Sequence, residues 1–169
     1  MTPRDDHGRI VAVTGDPQGN QARTSARALL VDDADRLVLI KRVKPHTAAY
    51  WTTPGGRVEP SDRSTVTALH RELREELGAN AVVGAEVYVQ EPTGAHPSRQ
   101  HFHVARLSSL DASLRSGPDV DAAARGESVV ERVDVAAGGV DAIDLRPPGL
   151  AAFVRAEWPG ILGQARRLV

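Results

Sequence analysis

Pro54-Gly55-Gly56-Arg57-Val58-Glu59-Pro60-Ser61-Asp62 leads into residues 64–78, STVTALHRELREELG, so a glycine turn runs into a helix with acids along one side. At about 100° per residue, Glu72, Glu75 and Glu76 fall within an arc of roughly 100°. Val66, Leu69, Leu73 and Leu77 fall on a neighbouring arc, the apolar stripe expected to face a core. Gly78 stands where a helix-ending glycine is expected. Three carboxylates at i, i+3 and i+4 repel one another, so an isolated helix loses stability by bringing them together. A hard cation reverses that sign, because Mg²⁺, Mn²⁺ and Ca²⁺ prefer oxygen ligands. The spacing therefore predicts one wall of a metal site.

A solvated acidic face is the plain alternative, with Arg71 and Arg74 as neutralising neighbours. The preceding turn tips the balance. Gly55-Gly56 lets backbone approach a ligand closely, and a carbonyl there can join carboxylates around a cation.

Residues 71–79, RELREELGA, resemble the second half of the Nudix box: arginine, glutamate, an apolar residue, any residue, two glutamates, any residue, glycine, an apolar residue. Gly56, five residues and then an acid resemble the first half. Two departures stand out. The first acid is Asp62 where the family has glutamate, and one extra residue separates it from Arg71. The insertion falls in the turn before the helix, so the helical acids keep their mutual spacing. A weaker resemblance extends over residues 25–154.

Around this stretch the chain is unremarkable in bulk. Its 169 residues suit one domain with a real core, and its net charge of −1 gives no global attraction to nucleic acid or to an anionic membrane. An enzyme of acidic phosphates would then need a metal or a local cationic patch. The absence of cysteine excludes disulfides, thiol catalysis and cysteine-ligated zinc. With no long apolar run or signal-like start, a cytoplasmic protein is the expectation.

Residues 1–22 read as a loose arm with a short strand at 10–14, ahead of a single domain over 23–169. Residues 26–32 and 37–42 predict two strands whose near-continuous apolar runs fit burial on both faces. Lys41, Arg42, Lys44 and His46 put positive charge ahead of the glycine turn, and Trp51 is expected to anchor packing beside it. Further strands are expected at 86–90, 101–107 and 127–135, a long irregular connection at 108–126, and a helix at 150–158 that extends or frays beyond 160. His96, His101 and His103 have no zinc-site spacing; His101 and His103 share a strand face, and substrate contact is the expectation there.

The resemblance implies a Nudix-type α/β/α sandwich, a mixed β-sheet between helices. It implies a divalent-metal-dependent hydrolase that cleaves the pyrophosphate linkage of a nucleoside diphosphate joined to another moiety, with Mg²⁺ as cofactor or Mn²⁺ in its place. By the same resemblance Glu72 and Glu76 are metal ligands, Glu75 is a ligand or the base, and the Gly56 carbonyl completes the shell. Arg71 then holds a glutamate by a two-pronged ion pair. Asp62 orients the loop, ligates weakly, or does neither. Arg42, Lys44 and Arg57 are candidates for substrate phosphates, and Asp119 and Glu127 for a loop base. The partner is a small nucleotide-type molecule rather than a nucleic acid polymer or a membrane. Family members often form homodimers, but no exposed apolar stripe in this sequence argues for one. Two alternatives stand beside this reading: a catalytically silent Nudix module that binds a nucleotide or metabolite as a regulator, and an unrelated calcium-binding or structural domain. The second lacks the alternating acids of a calcium loop.

Overall fold

Two apolar runs joined by the turn from Asp33 to Arg36 pair as an antiparallel hairpin, β1 (Arg23–Val31) and β2 (Leu37–Val43). Buried Asp32 fixes the turn: its Oδ1 accepts from the backbone N–H of Ala34 and Arg36, and its Oδ2 pairs with Arg36 and Arg132. The computed structural model describes residues 23–94, 96–116 and 126–168. The arm at 1–22, with its expected strand, and Asp119 lie outside the described residues.

After β2 come the short strands β3 (Tyr50–Thr52) and β4 (Gly55–Arg57), then helix α1 (Thr65–Leu77). Ser64 begins α1 by accepting from the Thr67 N–H, which supplies one of the helix's orphan donors with a partner worth about 1 kcal/mol. Gly78 ends it in the left-handed region. Strands β5 (Ala79–Gln90) and β6 (Ser98–Leu110), then β7 (Glu127–Val133) and β8 (Leu145–Arg146), complete the sheet before helix α2 (Leu150–Arg167). Along the sheet the order is β5-β6-β1-β2-β3-β8, with β4 beside β1 and β7 beside β2. The β1–β6 and β3–β8 pairs are parallel and the rest antiparallel, so the sheet is mixed.

Alternation along β1 divides the core between two layers. Ala26, Ala28 and Leu30 meet Ala68, Leu69, Leu73 and Leu77 of α1. Leu29 and Val31 meet Phe102 and Val104 of β6 and Val154, Trp158, Ile161 and Ala165 of α2. Truncating Leu73 to Ala would open a cavity in the first layer and cost about 2–5 kcal/mol. This is the expected α/β/α sandwich.

Two of the differences from the sequence reading have a packing reason. Ala68 takes the buried place on α1 expected for Val66, which is only half-buried, because the helix rests its small side against β1. β6 begins earlier and runs longer than 101–107, into the span read as irregular, since β1 and β5 on either side give its backbone partners over that length. Of the two outcomes expected beyond 160, α2 takes extension: it runs through Pro159 to Arg167, and its buried stripe of Leu150, Val154, Trp158, Ile161 and Ala165 holds both sides of the proline in one helix.

Candidate functional site

The glycine turn and the acidic helix meet because β4 is clamped on both sides. Its residues pair with Ser25, Ala26 and Arg27 of β1, and Gly55 has a φ of 132°, where an added Cβ would lie 2.2 Å from the Ala26 carbonyl oxygen. At Gly56 an added Cβ would lie 2.5 Å from the Glu72 carboxylate. The Gly55 N–H donates to Glu76 Oε2 at 3.0 Å. Backbone and carboxylates are thus packed together, and a larger residue at 56 would push the Glu72 carboxylate aside.

Arg71 organises this face. Its Nη2 and Nε reach the two oxygens of Asp62 at 2.8 and 3.3 Å, its Nη1 reaches Glu72 Oε1 at 3.0 Å and Glu75 Oε2 at 3.1 Å, and its Nη2 also donates to the Arg57 carbonyl at 2.9 Å. The two-pronged pair therefore goes to Asp62, not to a glutamate as expected; Glu72 and Glu75 share the remaining nitrogen. Asp62 is 5% exposed and also accepts from the Glu59 N–H at 2.8 Å. Asp62 closes a turn with Glu59 and sets its carboxylate against the guanidinium. Arg71 holds the Asp62 carboxyl below its ordinary range, and Asp62 in return raises Arg71.

Burial pushes Glu72 the other way, above its ordinary value, and the neighbouring charges of Glu76 and Glu75 add to this while Arg71 only partly offsets it. Glu76 is 10% exposed; Arg42 Nη2 lies 2.5 Å from its Oε1, and Arg42 Nη1 donates to Ser128 Oγ. Glu75 is the most open of the three at 36%.

Among the described residues, no three His, Asp or Glu side chains enclose a cation position as they stand. The donor set nevertheless suits a hard divalent ion: carboxylate oxygens on one helix face, a glycine cradle against Glu72, and a Glu72 charge that its surroundings disfavour. Each Glu76 oxygen accepts one hydrogen bond, from Arg42 or from the Gly55 N–H, and keeps a further lone pair for a cation.

The other predicted residues scatter. Arg57 is exposed beside the turn, and Lys44 is exposed with its Nζ over the Tyr50 ring at 5.8 Å. Glu127 opens β7 opposite Val43 rather than lying in a loop, and alternation turns it to the face opposite Ser128 and Arg42. Trp51 packs against the α2-side core and its Nε1 donates to Glu131, an anchor as expected. His101 and His103 sit on the α1 side. His101 pairs with Glu86 at 2.7 Å, and His103 is buried between Thr65 Oγ1 and the Gly84 carbonyl.

A cleft beside the glycine turn was not foreseen. Its inner chamber, about 160 Å³, is lined among others by Arg27, Tyr50, Thr52, Gln100 and Arg146. Its outer chamber, about 340 Å³, shares Arg27, His96 and Gln100 and adds Arg23 and Arg57. Arg27 stands between the cleft and the glycine turn, donating from Nη1 to the Gly55 carbonyl at 2.8 Å and from Nε to Gln100 Oε1 at 3.3 Å. Burial lowers its pKa, partly offset by Glu76 and Glu72. The sequence signal for it was a lone arginine inside the apolar run 26–32.

A family model described as the NUDIX domain matches residues 21–141. The CTP pyrophosphohydrolase of Escherichia coli (strain K12) is 43% identical over 61 residues, 36% of this chain and 44% of that protein. The chain thus spans less than half the length of that curated relative, and the same holds for a second. Among solved structures, a NUDIX hydrolase from Nitrosomonas europaea superposes with a TM-score of 0.60 at 17% identity, covering 85% of this chain and 91% of that one. A C. elegans Ap4A hydrolase does so with a TM-score of 0.59 at 15% identity, covering 82% and 98%. At such identities the two structures speak for the fold.

Proposed function

Because the chain belongs to the NUDIX family, we propose that it is a divalent-metal-dependent hydrolase of the pyrophosphate linkage in a nucleoside diphosphate derivative. The observation that carries this reading is the direct contact of the Gly55–Gly56 backbone with Glu72 and Glu76, which joins both halves of the motif in one face.

In this reading Glu72 and Glu76, with the Gly56 carbonyl, hold Mg²⁺ or Mn²⁺. When bound, such an ion neutralises pyrophosphate oxygens and lowers the pKa of water. Glu75, the most open of the three acids, accepts the proton of the attacking water. Arg71 keeps Glu72 and Glu75 in register while Asp62 anchors Arg71, so Asp62 supports the face without touching the reaction. Arg42 holds Glu76 in its present orientation.

The test is product release from a panel of nucleoside triphosphates, oxidised nucleotides, nucleotide sugars, ADP-ribose and dinucleoside polyphosphates with Mg²⁺ or Mn²⁺, beside Glu76→Gln. Hydrolysis of one class, lost in the variant, supports the reading. Turnover that survives in the variant removes the acid face from the chemistry. The arginine contacts on all three glutamates favour one second reading, a binding module without turnover; a folded, metal-binding protein that hydrolyses none of the panel would establish it.

A further inference from the structure

The cleft is cationic in a chain whose net charge is −1. Arg23, Arg27, Arg57 and His96 line its outer chamber, and no acid does among the described residues. Arg23 and Arg57 are exposed, and neither has a carboxylate partner among the described residues. Arg27 spends Nη1 and Nε on fixed acceptors. Its Nη2 has no hydrogen-bond partner among the described residues, and Arg27 lines both chambers. Like charges gathered in one concavity repel, and a low-dielectric wall on one side raises that repulsion. An anion reverses it, and several guanidinium forks suit a phosphate dianion.

The inner chamber differs. Arg146 lies over the Tyr50 ring at 4.2 Å and is neutralised by Asp144, making a flat, stacked wall. Gln100 lines it as well and offers an amide edge. Such a chamber suits a planar group with a hydrogen-bonding edge, as a nucleobase has. Arg27, His96 and Gln100 wall both chambers, so a group in the outer one lies next to whatever occupies the inner one.

We propose that the outer chamber is a subsite for a second phosphate, carried on the nucleoside's sugar and separate from the scissile pyrophosphate. The inference rests on the hydrolase reading and narrows its substrates to nucleotides bearing that extra phosphate. Arg23 and Arg57 take it at the mouth, and Nη2 of Arg27 takes it at the floor.

The test is calorimetric titration, without divalent metal, of AMP, adenosine 2′,5′-bisphosphate and adenosine 3′,5′-bisphosphate into the wild type and Arg23→Glu, with Arg23→Ala as the milder variant. One bisphosphate should bind about tenfold or more tighter than AMP. That preference should shrink in Arg23→Ala and vanish in Arg23→Glu, at unchanged melting temperature. The tighter arm names the sugar position. Equal affinities in the wild type, no binding of either bisphosphate, or a preference that survives Arg23→Glu would overturn the subsite. The titration needs no turnover. A hydrolase without the preference refutes the subsite alone, and a preference without hydrolysis refutes the hydrolase reading alone.

Discussion

The acid face and the arginine cleft flank the same glycine turn and are built in opposite ways. The acids come from one helix, where a five-residue window places Glu72, Glu75 and Glu76 together, and each is held by an arginine. The cleft draws its cations from β1, β4 and β8, and leaves Arg23 and Arg57 without a carboxylate partner among the described residues. One side is a set of anions already balanced by cations of its own. The other is a set of cations awaiting an anion. Chemistry on the first and recognition on the second is the division this contrast suggests, and substitutions can separate the two.

The largest effect is expected from Glu76→Gln, which should lower kcat by a factor on the order of 10²–10³ in a steady-state assay. Arg71→Ala comes next. It leaves Asp62, Glu72 and Glu75 without their shared cation and should cost about 2 kcal/mol in urea unfolding, reduced from a fully buried pair because the guanidinium is 22% exposed. Asp62→Ala should cost about 1 kcal/mol and only a small part of kcat. A kcat loss as large as that of Glu76→Gln would move Asp62 into the chemistry and blur the division.

Two carboxyls on the acid face should respond to pH with opposite signs. Asp62 has a lowered folded pKa, so its contribution is present above the ordinary carboxylate value and is lost as pH falls through the lowered one. Asp62→Asn should therefore flatten the acid limb of a stability-versus-pH curve. Glu72 has a raised folded pKa, so its favourable contribution is present below the ordinary value and is lost as pH rises through the raised one. Glu72→Gln should raise the metal-free melting temperature at neutral pH, by about 2 °C, and abolish any further rise with Mg²⁺. A lower melting temperature for that variant would mean that Arg71 fully compensates Glu72.

The same contrast explains what the sequence disclosed. Helix α1, its serine and glycine caps and its acidic stripe follow from spacing within one turn or two, and the β1–β2 hairpin from apolar runs around a turn. Arg71's preference for Asp62 over the glutamates was hidden because it depends on a turn, closed from the Asp62 N–H to the Glu59 carbonyl at 2.9 Å, whose place against the guanidinium is set by packing. The cleft was hidden for a stronger reason. Arg27 and Gln100 meet only because β1 and β6 lie parallel in a given register, and Tyr50 and Arg146 because β3 and β8 do. No local period announces such pairings.

The division between the two regions is tested most directly by Mn²⁺ binding, followed by electron paramagnetic resonance in the wild type, Glu76→Gln and Arg23→Glu. Affinity should fall at least about tenfold in Glu76→Gln and stay at the wild-type value in Arg23→Glu. Undiminished Mn²⁺ affinity in Glu76→Gln would contradict the assignment of the metal to the acid face.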